Sequence, residues 1–146
     1  MPKRRHKGYT LGDEVEYTRR EVKSGDAFVL HPGHFVLATT IEEVDLPSDL
    51  AAFVQGRSSI GRAGLSIQNA GFVDPGFFGH ITLELKNDGP YPIRLAPGYR
   101  VGQLVFIECT RVSEPYDGKY NGQVEATGSR MHMDPDNSRN CANLPV

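Results

Sequence analysis

Two arginines, two serines, an aspartate and a glutamate stand among turn-forming glycines between residues 56 and 85. The segment begins Gly56-Arg-Ser-Ser-Ile-Gly-Arg-Ala-Gly-Leu65 and closes Ala70-Gly-Phe-Val-Asp-Pro-Gly-Phe-Phe-Gly-His-Ile-Thr-Leu-Glu-Leu85. Backbone N–H groups, hydroxyls and a guanidinium at such a turn can hold phosphate oxygens, with Arg57 as a bidentate clamp. Carboxylates further along can move protons. The set suits an enzyme acting on a small phosphorylated anion.

Each residue also has a plainer reading. Gly56-Arg57-Ser58-Ser59 follows a run of strand formers and would equally suit an N-capping serine. Arg62 lies four residues after Ser58, on the same face of a helical turn, where a surface salt bridge would explain it. Asp74-Pro75-Gly76 is first a β-turn signal, and its carboxylate could alternatively accept a bond from a sugar hydroxyl. In Ile81-Thr-Leu-Glu-Leu85 strict alternation sets Ile81, Leu83 and Leu85 on one face, with Thr82 and Glu84 on the other. Glu84 is then either an ordinary exposed strand residue or a carboxylate lining a cavity.

Strands must position these groups. Runs rich in Val, Ile, Phe, Thr and Leu occur at Asp26–Leu30, Phe35–Thr39, Ala51–Gln55, His80–Leu85, Ile93–Leu95 and Arg100–Glu108. Turn signals such as His31-Pro-Gly-His34, Asn87-Asp-Gly-Pro90 and Ala96-Pro-Gly98 separate them. With 16 glycines and 10 prolines, long helices are interrupted, and one short helical stretch is expected at Ser59–Gly64. The pattern predicts a single mainly-β domain, a barrel or jelly roll, over residues 25–133. Residues 1–24 form an N-terminal segment expected to be partly mobile. Residues 134–146, with Pro-Asp-Asn-Ser-Arg-Asn, bury too little surface to offset their ordering entropy and are expected as a mobile tail.

Composition excludes more than it selects. The chain has 146 residues and net charge −2, so neither a nucleic-acid nor a membrane surface is indicated. No run approaches the ~20 apolar residues of a membrane span. The basic start, Met1-Pro-Lys-Arg-Arg-His-Lys7, has no apolar stretch behind it and does not read as a secretory signal. Cys109 and Cys141 lie far apart and suggest a reduced, cytoplasmic protein with two incidental thiols. The His/Cys-x-Glu and Pro-Cys-x-x-Cys motifs of zinc deaminases are missing, as are a Walker loop and a Gly-x-Gly-x-x-Gly fingerprint. His31 and His34 read as a surface turn rather than metal ligands. No protein metal site is expected, and chemistry falls to carboxylates, hydroxyls and guanidinium groups.

Read as one string, these residues resemble the deoxycytidine triphosphate deaminase branch of the trimeric deoxyuridine triphosphatase (dUTPase) superfamily. The matching pattern is Gly-Arg-Ser-Ser-x-x-Arg-x-Gly-Leu, then Ala-Gly-Phe-x-Asp-Pro-Gly-Phe-x-Gly-x-Ile-Thr-Leu-Glu-Leu, then Leu-x-Pro-Gly-x-x-x-Gly-Gln-Leu. Lys119-Tyr-Asn-Gly-Gln123 and Ser129-Arg130 also fit the deaminases, and the Gly-rich C-terminal arm of the triphosphatases is missing. The resemblance implies a dUTPase-like distorted β-barrel of the β-clip type and a homotrimer with sites at subunit boundaries. It implies metal-independent deamination of dCTP to dUTP, with magnesium bound through the nucleotide triphosphate and no zinc.

By the same resemblance Glu84 is the catalytic acid–base. Ser58, Arg62 and the Ala70 carbonyl position water and stabilise charge on the ring. Arg57, Ser59, Lys119 and Gln123 match triphosphate contacts. Asp74 binds the deoxyribose hydroxyl, Phe77 packs near the sugar, and Tyr116 and Tyr120 join the substrate-binding set. Gly56–Arg62 is expected to face a neighbour's Glu84 strand or C-terminal segment. Gly71-Phe72 resembles bifunctional members that continue to dUMP and diphosphate, with Asp74 activating the second water. Asn69 replaces a threonine tied to feedback inhibition by the thymidine nucleotide, which implies weak or altered regulation. The Gln-Pro-Ala-Ser-Val-Asp-Leu-Arg-type motif that precedes the barrel in such deaminases is not found in the sequence. The alternatives are a dUTP diphosphatase without deaminase activity and a catalytically silent nucleotide-binding member.

Overall fold

A computed structural model describes residues 15–67 and 71–134. Its elements are β1 (Phe28–Leu30), β2 (Phe35–Asp45), β3 (Leu50–Gly56), α1 (Ser58–Arg62), β4 (Leu65–Ile67), β5 (Phe72–Val73), β6 (Phe78–Asn87), β7 (Ile93–Leu95), β8 (Gly102–Glu108) and a 3₁₀ turn, Met131–Met133. The mainly-β class is as expected. The single helix begins one residue earlier than the expected stretch and ends two earlier, because Ala63 and Gly64 leave the helical path. Gly64 adopts φ +91°, and a Cβ there would lie 2.7 Å from the Gly89 Cα.

Strands pair antiparallel as β2-β6-β4, β5-β3-β8 and β1-β7. β6 is the spine. Ile81, Leu83 and Leu85 point inward and are buried, joining Leu30, Leu46, Ala52, Leu65, Val73 and Phe77 in one apolar core. Thr82 and Glu84 are half-buried on the opposite face, as period-two alternation requires. β2 runs six residues past its expected end at Thr39, continuing its pairing with β6 across a register shift between Thr39 and Glu43. There Thr40 Oγ1 accepts a 2.9 Å bond from the Ile81 N–H, and His80 Nδ1 lies 3.0 Å from the Thr40 carbonyl.

Asn87, where β6 ends, is completely buried. Its amide donates 2.8 Å bonds to the Leu30 and Tyr91 carbonyls, and its Oδ1 accepts from the Gly89 N–H at 2.9 Å. Its own N–H donates to the His34 carbonyl, and its carbonyl accepts from Gly33. One side chain thus ties β1 to the turn after β6.

Contacts divide the chain into Arg20–Thr127 and a unit formed by Met1–Arg19 with Gly128–Val146. In the second, the Tyr17 ring lies against Gly128, within 2.4 Å of where a Cβ would stand. No helix among the described residues is long and apolar enough to cross a membrane.

Candidate active site

The expected site residues fall into three groups within one chain. Arg57 and Ser58 line a cleft of about 530 Å³ with Gly56, Gly61, Leu65, Ser66 and Ile67. β3 delivers them: its register with β8 ends at Gly56 opposite Gly102, and α1 starts immediately afterwards. Arg57 occupies the N-cap in extended conformation without a side-chain capping bond, so a capping serine does not account for Ser58 or Ser59. The Arg57 Nη1 instead donates a 2.8 Å bond to the Arg100 carbonyl, which fixes the guanidinium over the turn before β8. Ser59 and Arg62 are exposed on α1 and line neither this cleft nor the cavity below.

Glu84 lies in a second cavity of about 50 Å³, whose walls include Val54, Ile67, Gly71, Phe72 and Thr82. Among the described residues its polar side chains are Thr82 and Glu84, the rest being apolar or glycine, and only Ile67 borders both spaces. Cation and carboxylate are therefore neighbours in one chain without sharing a pocket.

The third group surrounds the start of β6. Asp74 opens a turn closed by a 3.1 Å bond from the Phe77 N–H to the Asp74 carbonyl. Phe77 is buried in the core with its ring 6.1 Å from that of Tyr116. The Tyr116 hydroxyl accepts from the Tyr120 N–H at 3.3 Å, and Lys119 Nζ lies 5.5 Å from the Tyr120 ring centre. Residues 121–127 then run along β6 as a strap. Phe78 donates to Asn121 Oδ1 at 2.8 Å, and His80 donates to the Gln123 carbonyl at 2.8 Å. Gly79, at φ +127°, permits this crossing, since a Cβ would come 2.8 Å from the Gln123 carbonyl oxygen.

Gln123 is engaged differently from its expected role. Its Nε2 donates a 2.7 Å bond to the His80 carbonyl, while Oε1 is buried without a hydrogen-bond partner among the described residues. That bond uses one of the two N–H groups on Nε2, and a phosphate contact falls to the other. Ala70 lies outside the described residues, as do Asn69, the basic start and Cys141. Among the described residues no group of three His, Cys, Asp or Glu side chains could hold a metal ion, and Cys109 is a free thiol.

Sequence reasoning passed over Asn87, Ser66 and Thr82. Asn87 carried a signal: alternation through Leu83 and Leu85 places it on the inward face. Ser66 had none, since it reaches the cleft only through the pairing of β4 with β6. There its hydroxyl donates a 2.6 Å bond to Asp88, which Lys86 also contacts at 2.8 Å.

A family model described as dCTP deaminase-like matches residues 2–109. The chain belongs to that family. It is 52% identical over 118 residues to the "dCTP deaminase, dUMP-forming" of Sulfurihydrogenibium sp. (strain YO3AOP1), covering 80% of this chain and 66% of that protein. The chain thus spans just under two thirds of that curated relative. Among solved structures, the 2'-deoxycytidine 5'-triphosphate deaminase from Agrobacterium tumefaciens superposes with TM-score 0.53 at 26% identity, over 57% of this chain and 27% of that one. The native EIAV dUTPase gives TM-score 0.52 at 26% identity, over 64% and 78%. The dUTPase-like fold of this family member is thereby established.

Proposed function

We propose that residues 25–133 form a nucleotide-binding domain that deaminates dCTP and carries the product on to dUMP and diphosphate. The observation that carries the reading is Glu84, half-buried beside an otherwise largely apolar cavity in a member of a family whose relatives are named for this reaction. In the proposed reaction Glu84 takes a proton from water as the oxygen bonds to C4, and passes it to N3. Glu84 then moves the proton of the new C4 hydroxyl to the amino nitrogen, the C4–N bond breaks, ammonia leaves, and C4 becomes a carbonyl. Ser58, Arg62 and the Ala70 carbonyl hold the water. Arg57, Ser59 and Lys119 meet the triphosphate, with Gln123 joining through its second amide N–H. Asp74, near Phe77, Tyr116 and Tyr120, meets the sugar and activates the second water. Magnesium would be held through the triphosphate oxygens that Arg57, Ser59 and Lys119 meet, and would offset their negative charge.

A homotrimer completes the site. Phe72, Phe53 and Val105 are cross-strand neighbours on one face of β5-β3-β8, and Phe72 and Val105 remain 51% and 44% exposed. An apolar row of this kind marks an interface, and a second copy on it would bring a neighbour toward Glu84. A cytoplasmic setting agrees with the free Cys109 thiol and with a nucleotide substrate.

Incubation with dCTP and magnesium, following ammonia and pyrophosphate together, tests the reading. Both products are expected. Ammonia alone would restrict the protein to deamination. Pyrophosphate from dUTP with no ammonia from dCTP would make it a diphosphatase and leave Glu84 as scaffold.

A further inference from the structure

Lys119 and Tyr120 stand in the middle of a turn that the Asn121 N–H closes with a 3.0 Å bond to the Gly118 carbonyl. The turn is the tip of a loop, residues 116–121, that folds back on its own first residue. The Tyr120 N–H donates to the Tyr116 hydroxyl at 3.3 Å, and Asn121 Nδ2 donates to the Tyr116 carbonyl at 3.2 Å. The other end of the same amide faces β6, where Asn121 Oδ1 accepts a 2.8 Å bond from the Phe78 N–H. One side chain thus closes the loop that carries Lys119 and pins it to the strand that carries Glu84. An amide can do both because it has an acceptor and donors, whereas alanine can do neither. The Asp74 turn is held separately, by the Phe77 N–H on the Asp74 carbonyl and the Gly76 N–H on the Leu46 carbonyl.

We propose that Asn121 is a positioning residue that sets the Lys119 ammonium against β6 for contact with the triphosphate. This rests on the deaminase reading above, in which Lys119 meets that group. A lysine is a point charge on a flexible four-carbon stem, so where its charge can reach depends on the backbone that carries it. Asn121 acts through Lys119 and touches no substrate. Without its amide the loop tip is loosened, and the cost of ordering it again falls on phosphate binding. The nucleoside end of the site, carried by β6 and the Asp74 turn, keeps its own supports.

The test uses the full chain, with calorimetric Kd values for dCTP and for deoxycytidine, which has no phosphate. Asn121→Ala should weaken dCTP binding about three- to tenfold and leave deoxycytidine binding nearly unchanged. Lys119→Ala should weaken dCTP binding by itself, and Asn121→Ala added to it should cost almost nothing more, because the two residues act as one unit. A merely structural role would lower affinity for both ligands alike and would persist without Lys119. Asn121→Gln keeps both polar groups but displaces them by one methylene, and should show the same pattern in smaller measure. Should Asn121→Ala not fold, the glutamine variant decides by the same comparisons. If the variant leaves the dCTP Kd unchanged, weakens deoxycytidine equally, or keeps its full effect beside Lys119→Ala, the assignment to Asn121 is wrong while the deaminase reading stands. Wild-type protein that neither binds dCTP nor releases ammonia from it overturns both.

Discussion

Glu84 sits on a ten-residue strand, β6, with β2 on one side, β4 on the other and a strap crossing its start. Arg57–Arg62 occupy the first turn beyond β3 and a five-residue helix with no buried residue. The strand that carries the carboxylate is thus fixed by the core, whereas the cationic segment is anchored at its root by Arg57 on the Arg100 carbonyl and projects outward. Proton transfer needs a group whose position survives each turnover, and a sheet interior supplies that. Triphosphate binding tolerates a looser frame, and an exposed helix can be completed by another subunit. The division explains why each half lines its own space within one chain.

The largest effect should come from the rigid half. Glu84→Gln keeps the side-chain volume and removes the proposed acid–base function, so ammonia release should fall on the order of a thousandfold. Nucleotide affinity, measured by calorimetry, should stay within a few-fold. Retained turnover would place the proton chemistry elsewhere and dissolve the contrast.

The outward half can be challenged through its missing neighbour. Val105→Asp sets a carboxylate in the exposed apolar row that also holds Phe72, where burial of an unpaired charge costs on the order of 3 kcal/mol or more. Sedimentation should show monomers in place of the proposed trimers, circular dichroism an intact β fold, and the product assay loss of turnover. A monomer with full activity would show that one chain suffices.

Asn87 joins the halves, since its side chain binds β1 and the turn after β6 while the Gly64 carbonyl, just past α1, accepts from the Asp88 N–H. Asn87→Ala would leave two carbonyls and the Gly89 N–H without their partner. Unfolding in urea should register a loss of about 2–4 kcal/mol. A loss well below that would mean that water replaces the amide and that the joint is softer than its burial suggests.

Much of this frame was legible in the sequence, for reasons that differ by element. β7 was found at its observed bounds, and Glu84's face followed from alternation alone, because a strand's period is local. The short helix was legible through Gly-Arg-Ser-Ser and Ala-Gly. β4 and β5 were not, being three and two residues long and formed only because β6 and β3 offer them edges. The onward run of β2 was hidden because Thr40–Glu42 pairs irregularly and relies on His80 and Ile81 for its hydrogen bonds. Motif residues identified the site's members, while their separation into three groups depends on sheet order, which no local pattern carries.

The smallest expected effect lies where the two halves meet solvent. The Lys86 ammonium, and then the Ser66 hydroxyl, donate to Asp88 and hold its carboxyl below the usual carboxylate range. A depressed pKa contributes stability above the unfolded value, about 3.9, and loses it as pH falls through the folded value. Asp88→Asn should therefore be slightly less stable than the wild type at pH 7, and the gap should close below about pH 4. Because the carboxylate is solvent-exposed, screening keeps the difference small, and added salt should shrink it further. Urea titrations at pH 7 and pH 3 would show this. A gap that widens in acid would mean that Asp88 is stabilised in its protonated form, and that the Ser66 edge of the Arg57 cleft is held by a neutral pair rather than by charge.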